Sequence, residues 1–379
     1  MKGMKKPEVT GLLVESPLVD GHNDLPWALW DKADRDLDRL DIAQRQNSLH
    51  TDLVRLRAGS LGAQFWSVYV PGSLRGAEAV KAVLAQIHLV RRICDRYPDH
   101  LQFVTTADGV RDAFAKGRIA SLLGAEGGNC IDNSLEVLLG LRRLGVRYLT
   151  LTHAENVDWA DSATDVPAVG GLTDFGRAVV HAMNRFGMLV DLSHVADTTM
   201  RAALDTSDAP VVFTHSSCRA LVDNPRNVPD DVLSRLRTNG GVCMVTFVPP
   251  FVSQPVSDWY AEAQQDLKDA GLEWGSDDAA AFWEDWSERH PQPRASLAQV
   301  ADHIEHVREV AGIAHVGIGG DYDGVGTMPD GLDDVSCYPA LLNELADRRW
   351  SRDELRALMG ENILRVLADS DQREQQPSL

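Results

Sequence analysis

The chain has 379 residues, 44% of them hydrophobic, enough to bury one barrel-sized core or two ordinary ones. Its formal net charge of -19 argues against nucleic acid or an anionic membrane surface as partner, since both need basic patches. Cys94, Cys130, Cys218, Cys243 and Cys337 form no CxxC pair, no apolar run approaches a membrane span, and the basic N-terminus lacks an apolar signal core. Reduced thiols and a cytoplasmic location are therefore expected.

The first apolar run leads into LVDGHNDLP, residues 18–26. His22 and Asp24 stand two apart, a spacing that puts both on one side of an extended strand, and Pro26 stops it. Further short apolar runs follow at 63–70 (AQFWSVYV), 119–125, 147–152, 188–192, 210–214, 241–248 and 315–319. Their continuous apolar character suits strands covered on both faces. Helical spacing marks residues 77–97, 134–144, 173–186, 197–204, 229–236 and 297–311 between them, and 338–347 and 351–367 after the last. Eight strands alternating with helices predict a closed (β/α)8 TIM barrel. An open doubly wound sheet competes, but no GxGxxG follows the first strand.

One domain over 1–379 is expected. The Trp- and acid-rich stretch 253–294 reads as a helical insertion after the seventh strand, a surface decoration, lid or dimer contact, and 369–379 as a frayed tail.

The residues that follow the strands carry the chemistry. His22 and Asp24 end the first strand, Glu126 the third, His153 the fourth, His194 the fifth, His215 the sixth, Asp321 and Asp323 the eighth. In a parallel barrel these ends meet at one rim, so metal-binding side chains converge there. Imidazoles with carboxylates suit Zn2+ first and other first-row divalent ions second. The set exceeds one tetrahedral site and suits two ions about 3.5–4 Å apart. No lysine follows a barrel strand, which removes a carbamylated lysine as bridge and leaves a carboxylate, Glu126, for it. Ser193 and Ser216 adjoin histidines in sequence but point away from them on a strand, no G-x-S-x-G occurs, and Cys218 reads as a core thiol.

With these motifs in order, the chain resembles the membrane (renal) dipeptidase family of zinc peptidases. The likeness runs from DGHNDLP through QFWSVYVP, GAEGG, LTLTHAEN, WADS, GGLTDFG, GMLVDLSHV, THSS and RNVPDDVL to GIGGDYDGV and GENILRV. It implies a TIM barrel of the metal-dependent hydrolase type with two zinc ions, one on His22, Asp24 and Glu126, the other on Glu126, His194 and His215. It implies that His153 contacts the scissile carbonyl and the tetrahedral intermediate, and that Arg226 binds the substrate's carboxylate. Asp321 would hold the amino terminus or handle the proton to the leaving amine, with Asp323 its rival. The implied reaction is hydrolysis of free L,L and L,D dipeptides by a metal-bridging hydroxide, in a protein that forms a homodimer. Another amide, lactone or phosphoester substrate is the alternative. Secreted animal members carry loop cysteines where this chain has Gly72 and Glu155, so that disulfide is absent.

Overall fold

The computed structural model describes residues 8–272 and 277–373. Its strands are β1 (Leu18–Asn23), β2 (Leu61–Tyr69), β3 (Leu101–Phe103), β4 (Ile119–Glu126), β5 (Val146–Thr150), β6 (Leu189–Asp191), β7 (Val212–Ser216), β8 (Val242–Val245) and β9 (Val316–Ile318). All pair in parallel, in the order β2-β1-β9-β8-β7-β6-β5-β4. Pairing of β2 with β4, from Ala63↔Ala120 to Tyr69↔Glu126, closes the ring. The fold is therefore a (β/α)8 barrel.

β3 is an addition. It flanks the start of β4, from Leu101↔Ile119 to Phe103↔Ser121, below the point where β5 joins at Leu123. LQF is too short to register as an apolar run, and the helix Ala107–Ala115 behind it, capped by Thr106, was hidden with it. The helices Val9–Glu15, Leu25–Ala33 and Leu53–Ala58 are likewise short and lack a long apolar stripe. Elsewhere the local signals hold. Ser351 and Glu354 form the capping box that opens the helix Arg352–Arg356.

Every barrel strand except β2 is buried along its whole length, which explains why apolar runs rather than alternation mark them. Phe65, Leu122, Tyr148 and Met244 fill the interior together with Ile363 and Leu367 of the helix Asn362–Arg373. That helix closes the end of the barrel where the strands begin: Asn362 Nδ2 donates to Ile313 O and Val316 O, and Arg365 Nη1 to Gly240 O. The tail expected to fray from residue 369 is corrected here. Residues 369–373 complete this helix, because Asp371 pairs with Arg147 at 2.9 Å and accepts the Ala107 N–H. Residues 374–379 lie outside the described ones.

Between β8 and β9 stand the helices Gln254–Asp269 and Asp277–Arg289, whose Trp259 and Trp286 form a small apolar cluster of their own. Among the described residues no helix is long and apolar enough to cross a membrane.

Candidate metal centre

The first strand delivers its two donors differently from the alternation argument. β1 ends at Asn23, and Asp24 sits at φ -96°, ψ 20° as the residue that caps the helix Leu25–Ala33. Pro26 in the first turn fixes this start. Asp24 therefore reaches the side of His22 through the turn into a helix, not through strand periodicity. Its Oδ2 lies 3.3 Å from His22 Nε2.

Glu126, the last residue of β4, stands at the centre. Its Oε2 faces His22 Nε2 at 3.3 Å. Its Oε1 faces His194 Nε2 at 3.0 Å, His215 Nε2 at 3.4 Å and His153 Nε2 at 3.9 Å. One carboxylate thus has a different donor group on each oxygen. Asp321 closes the His22 side, with Oδ1 4.0 Å from His22 Nε2. Among the described residues, three sets can hold a cation: His22 with Glu126 and His215, Glu126 with His153 and His194, and His22 with Asp24 and Asp321. The structure brings every predicted donor, together with His153 and Asp321, into one site.

The imidazoles are oriented from behind. Tyr148 Oη lies 2.9 Å from His22 Nδ1 and donates to Gly21 O at 3.2 Å. Its oxygen is then left to accept the Nδ1 proton, and Nε2 turns a lone pair to the site. Thr214 Oγ1 does the same for His215 Nδ1 at 2.9 Å and donates in turn to Asp191 Oδ2 at 2.7 Å. Asp191 also accepts from Thr150 Oγ1 at 2.6 Å, which ties β5, β6 and β7 together. Ser67 Oγ on β2 donates to Glu126 Oε2 at 2.8 Å. Tyr148 reaches His22 because Gly124 lets its ring pass: a Cβ there would sit 1.8 Å from the ring.

Electrostatics agree with a cation site. Burial holds His194 and His215 well below the usual histidine range, so both stay neutral, the form that ligates. Burial opposes ionisation of Glu126, but His22, His194 and His215 outweigh it and hold it well below the carboxylate range. Burial also opposes the His22 cation, but Tyr148, Glu126 and Asp24 outweigh it and raise its pKa well above normal. Among the described residues His22 Nε2 nevertheless has no hydrogen-bond partner, although it is buried. The donors and this orphaned nitrogen fit divalent ions, one of which would replace that proton. Asp321 is pushed well above the carboxylate range by burial, with Asp24 and Glu126 adding to it.

His194, Asp321 and Asp323 adopt left-handed backbone, with φ of 70°, 62° and 67°. Such strain costs about 1–3 kcal/mol per residue and concentrates at functional sites.

In front of the donors opens a cavity of about 330 Å³, lined by Trp27, Tyr69, Val248, Phe251 and Val325 as well as by site residues. Arg226 enters its wall 4% exposed. Among the described residues neither Nη1 nor Nη2 has a hydrogen-bond partner, and the guanidinium lies 5.1 Å over the Phe251 ring. Burial lowers its pKa to about 10, which leaves it cationic at neutral pH. Asp323 also lines the cavity, but its Oδ1 already accepts the His50 N–H at 2.7 Å.

Sequence reasoning missed Tyr148, Asp191, Thr214, Ser67 and Tyr69. All lie inside apolar runs, where they read as core. The five cysteines are free, and burial raises the Cys218 thiol. Gly72 and Glu155 do meet: a Cβ on Gly72 would lie 2.8 Å from the Glu155 carboxylate, which pairs with Arg75 at 3.0 Å.

A family model for membrane dipeptidase, peptidase family M19, matches residues 7–378. Dipeptidase 3 of Mus musculus is 40% identical over 372 residues, which cover 97% of this chain and 67% of that protein. Dipeptidase verJ of Clonostachys rogersoniana is 40% identical over 369 residues, 94% of this chain and 84% of its own. The chain thus spans about two thirds of the length of the mouse relative. The solved structure of the probable dipeptidase PvdM from Pseudomonas aeruginosa aligns with a TM-score of 0.84 at 21% identity, over 96% of this chain and 98% of that one, a likeness of fold.

Proposed function

The chain belongs to the membrane dipeptidases, peptidase family M19, and from that premise we propose that it hydrolyses free dipeptides, L,L and L,D, at a pair of zinc ions sharing Glu126. The whole chain is read as a single barrel domain. The observation that carries the substrate is Arg226, a buried guanidinium with no hydrogen-bond partner among the described residues, in the wall of the cavity that holds the donors.

His22, Asp24 and Glu126 would hold one ion, and Glu126, His194 and His215 the other. When bound, such a pair polarises the scissile carbonyl and activates water as nucleophile. Arg226 binds the substrate's carboxylate with a two-pronged hydrogen bond, and Phe251 beneath it keeps the guanidinium plane in place. That contact sets how deep the peptide enters. His153, kept neutral by burial, faces Glu126 Oε1 at 3.9 Å and donates to the carbonyl oxygen as charge builds on it. Asp321 serves the amino side, where it binds the ammonium or carries the proton to the leaving amine. Trp27, Tyr69 and Val248 supply apolar wall to the cavity.

The deciding experiment compares zinc-loaded protein on free, N-acetylated and C-amidated versions of one dipeptide. Turnover confined to the free form supports the proposal. Equal rates on the blocked forms would point instead to another amide, lactone or phosphoester.

A further inference from the structure

WADS, residues 159–162, supplies none of the site's donors and does not itself line the cavity, yet it lies against three of the strand ends that bear the site. The indole of Trp159 is buried against Gly128, two residues beyond Glu126: a Cβ on Gly128 would meet it at 2.7 Å. Asp161 shapes the loop. Its Oδ1 accepts the Ala168 and Val169 N–H groups and its Oδ2 that of Gly171, each at 2.9 Å. Its carbonyl accepts Ala196 N–H at 3.0 Å and the Thr199 hydroxyl at 2.9 Å, which pins the loop to the helix after β6.

Ser162 then sits, 1% exposed, between the two histidines. Its hydroxyl donates to His153 O at 2.6 Å, with His194 O 3.4 Å away. The same oxygen accepts Thr164 N–H at 3.3 Å. Ala163 N donates to His194 O at 2.8 Å. Asn156 Oδ1 accepts Ser162 N–H at 2.7 Å, closing the loop on itself. The two carbonyls belong to the residues whose rings lie 4.2 Å apart, tilted by 33°, beside Glu126. His194 has the left-handed φ of 70°, a conformation that persists only where its surroundings fix it.

We infer that Ser162 is a positioning residue: its hydroxyl ties the main chain of His153 to the WADS loop, whose next residue, Ala163, holds that of His194 through its N–H, and this clasp sets the substrate-facing imidazole against the metal-holding one. The inference rests on the proposed dipeptidase reading for the work of His153, while the clasp itself concerns geometry alone. Ser162 acts through the main chain, so it affects where the rings stand and leaves Arg226 and the carboxylate clamp untouched.

The test uses Ser162→Ala and Ser162→Cys, the second filling the space with a poor donor and carrying the test if the alanine variant does not fold. Thermal midpoints establish folding. On dipeptides, kcat is expected to fall about 10- to 100-fold, as for loss of an outer partner of a metal site, with KM within about twofold of the parent. In protein stripped by chelation and reloaded with Co2+, the visible d–d bands are expected to change in both variants, because His194 shifts at the ion. Parent-like kcat and an unchanged Co2+ spectrum in a folded variant would overturn the clasp, as would full turnover in Ser162→Cys. If the parent cleaves no dipeptide, the functional reading falls, and the Co2+ spectra still decide the clasp.

Discussion

Glu126 presents one oxygen to His22 at 3.3 Å and the other to His194 and His215 at 3.0 and 3.4 Å. A carboxamide cannot do this, since its nitrogen offers no lone pair. Glu126→Gln is therefore expected to lose several kcal/mol of transition-state stabilisation, about a thousandfold in kcat/KM or more, together with bound metal measured by elemental analysis. Arg226 makes a separable contribution. Removing a charge-assisted pair costs about 1.5–3 kcal/mol, roughly tenfold to more than a hundredfold. Arg226→Ala should raise KM for free dipeptides by that factor and leave metal content alone. It should also erase the preference for a free dipeptide over its amide, and a preference that survives would remove Arg226 from carboxylate recognition.

At the scale of elements, the loop that carries Arg226 hangs on the helix Leu297–Ala311. Cys218 N donates to His303 Nδ1 at 3.0 Å, and the Cys218 thiol to His303 O at 3.5 Å. Burial lowers the His303 pKa to about 4, opposed by a backbone hydrogen bond to Val252. A histidine whose folded pKa lies below its unfolded value of about 6.5 contributes stability above that pH. The contribution drains away as pH falls from about 6.5 toward 4, at up to about 1.4 kcal/mol per unit. Denaturation midpoints between pH 7 and 5 should therefore fall less steeply in His303→Asn, which keeps an acceptor and does not titrate. Identical slopes would show that His303 is not the group responsible. The elements the sequence hid, β3 and the helix Ala107–Ala115, are short and are held by their neighbours.

Across the whole molecule, donors from six strands share one buried site, where three carboxyl groups, those of Asp24, Glu126 and Asp321, crowd together. Ions that bind only the folded barrel stabilise it by mass action, about 2.7 kcal/mol at a hundred times the dissociation constant. Chelation should lower the thermal midpoint by a few degrees for a chain of this size, and zinc should restore it. A midpoint indifferent to chelator would mean that the donor set holds no tightly bound ion.

The sequence by itself determined the barrel and the kinds of side chain at its rim. Strands buried on both faces must be continuously apolar, and the residues just past them are written in the chain as His22, Glu126, His153, His194, His215 and Asp321. Only the tertiary structure decided how those residues face one another. The two-sided placement of Glu126 depends on closure of β2 onto β4, and the His22 tautomer on Tyr148, 126 residues away. The approach of Asp24 depends on a helix start that strand periodicity does not describe. Whether Arg226 is solvated or buried without a partner is settled by which neighbours pack around it, and no local pattern records that.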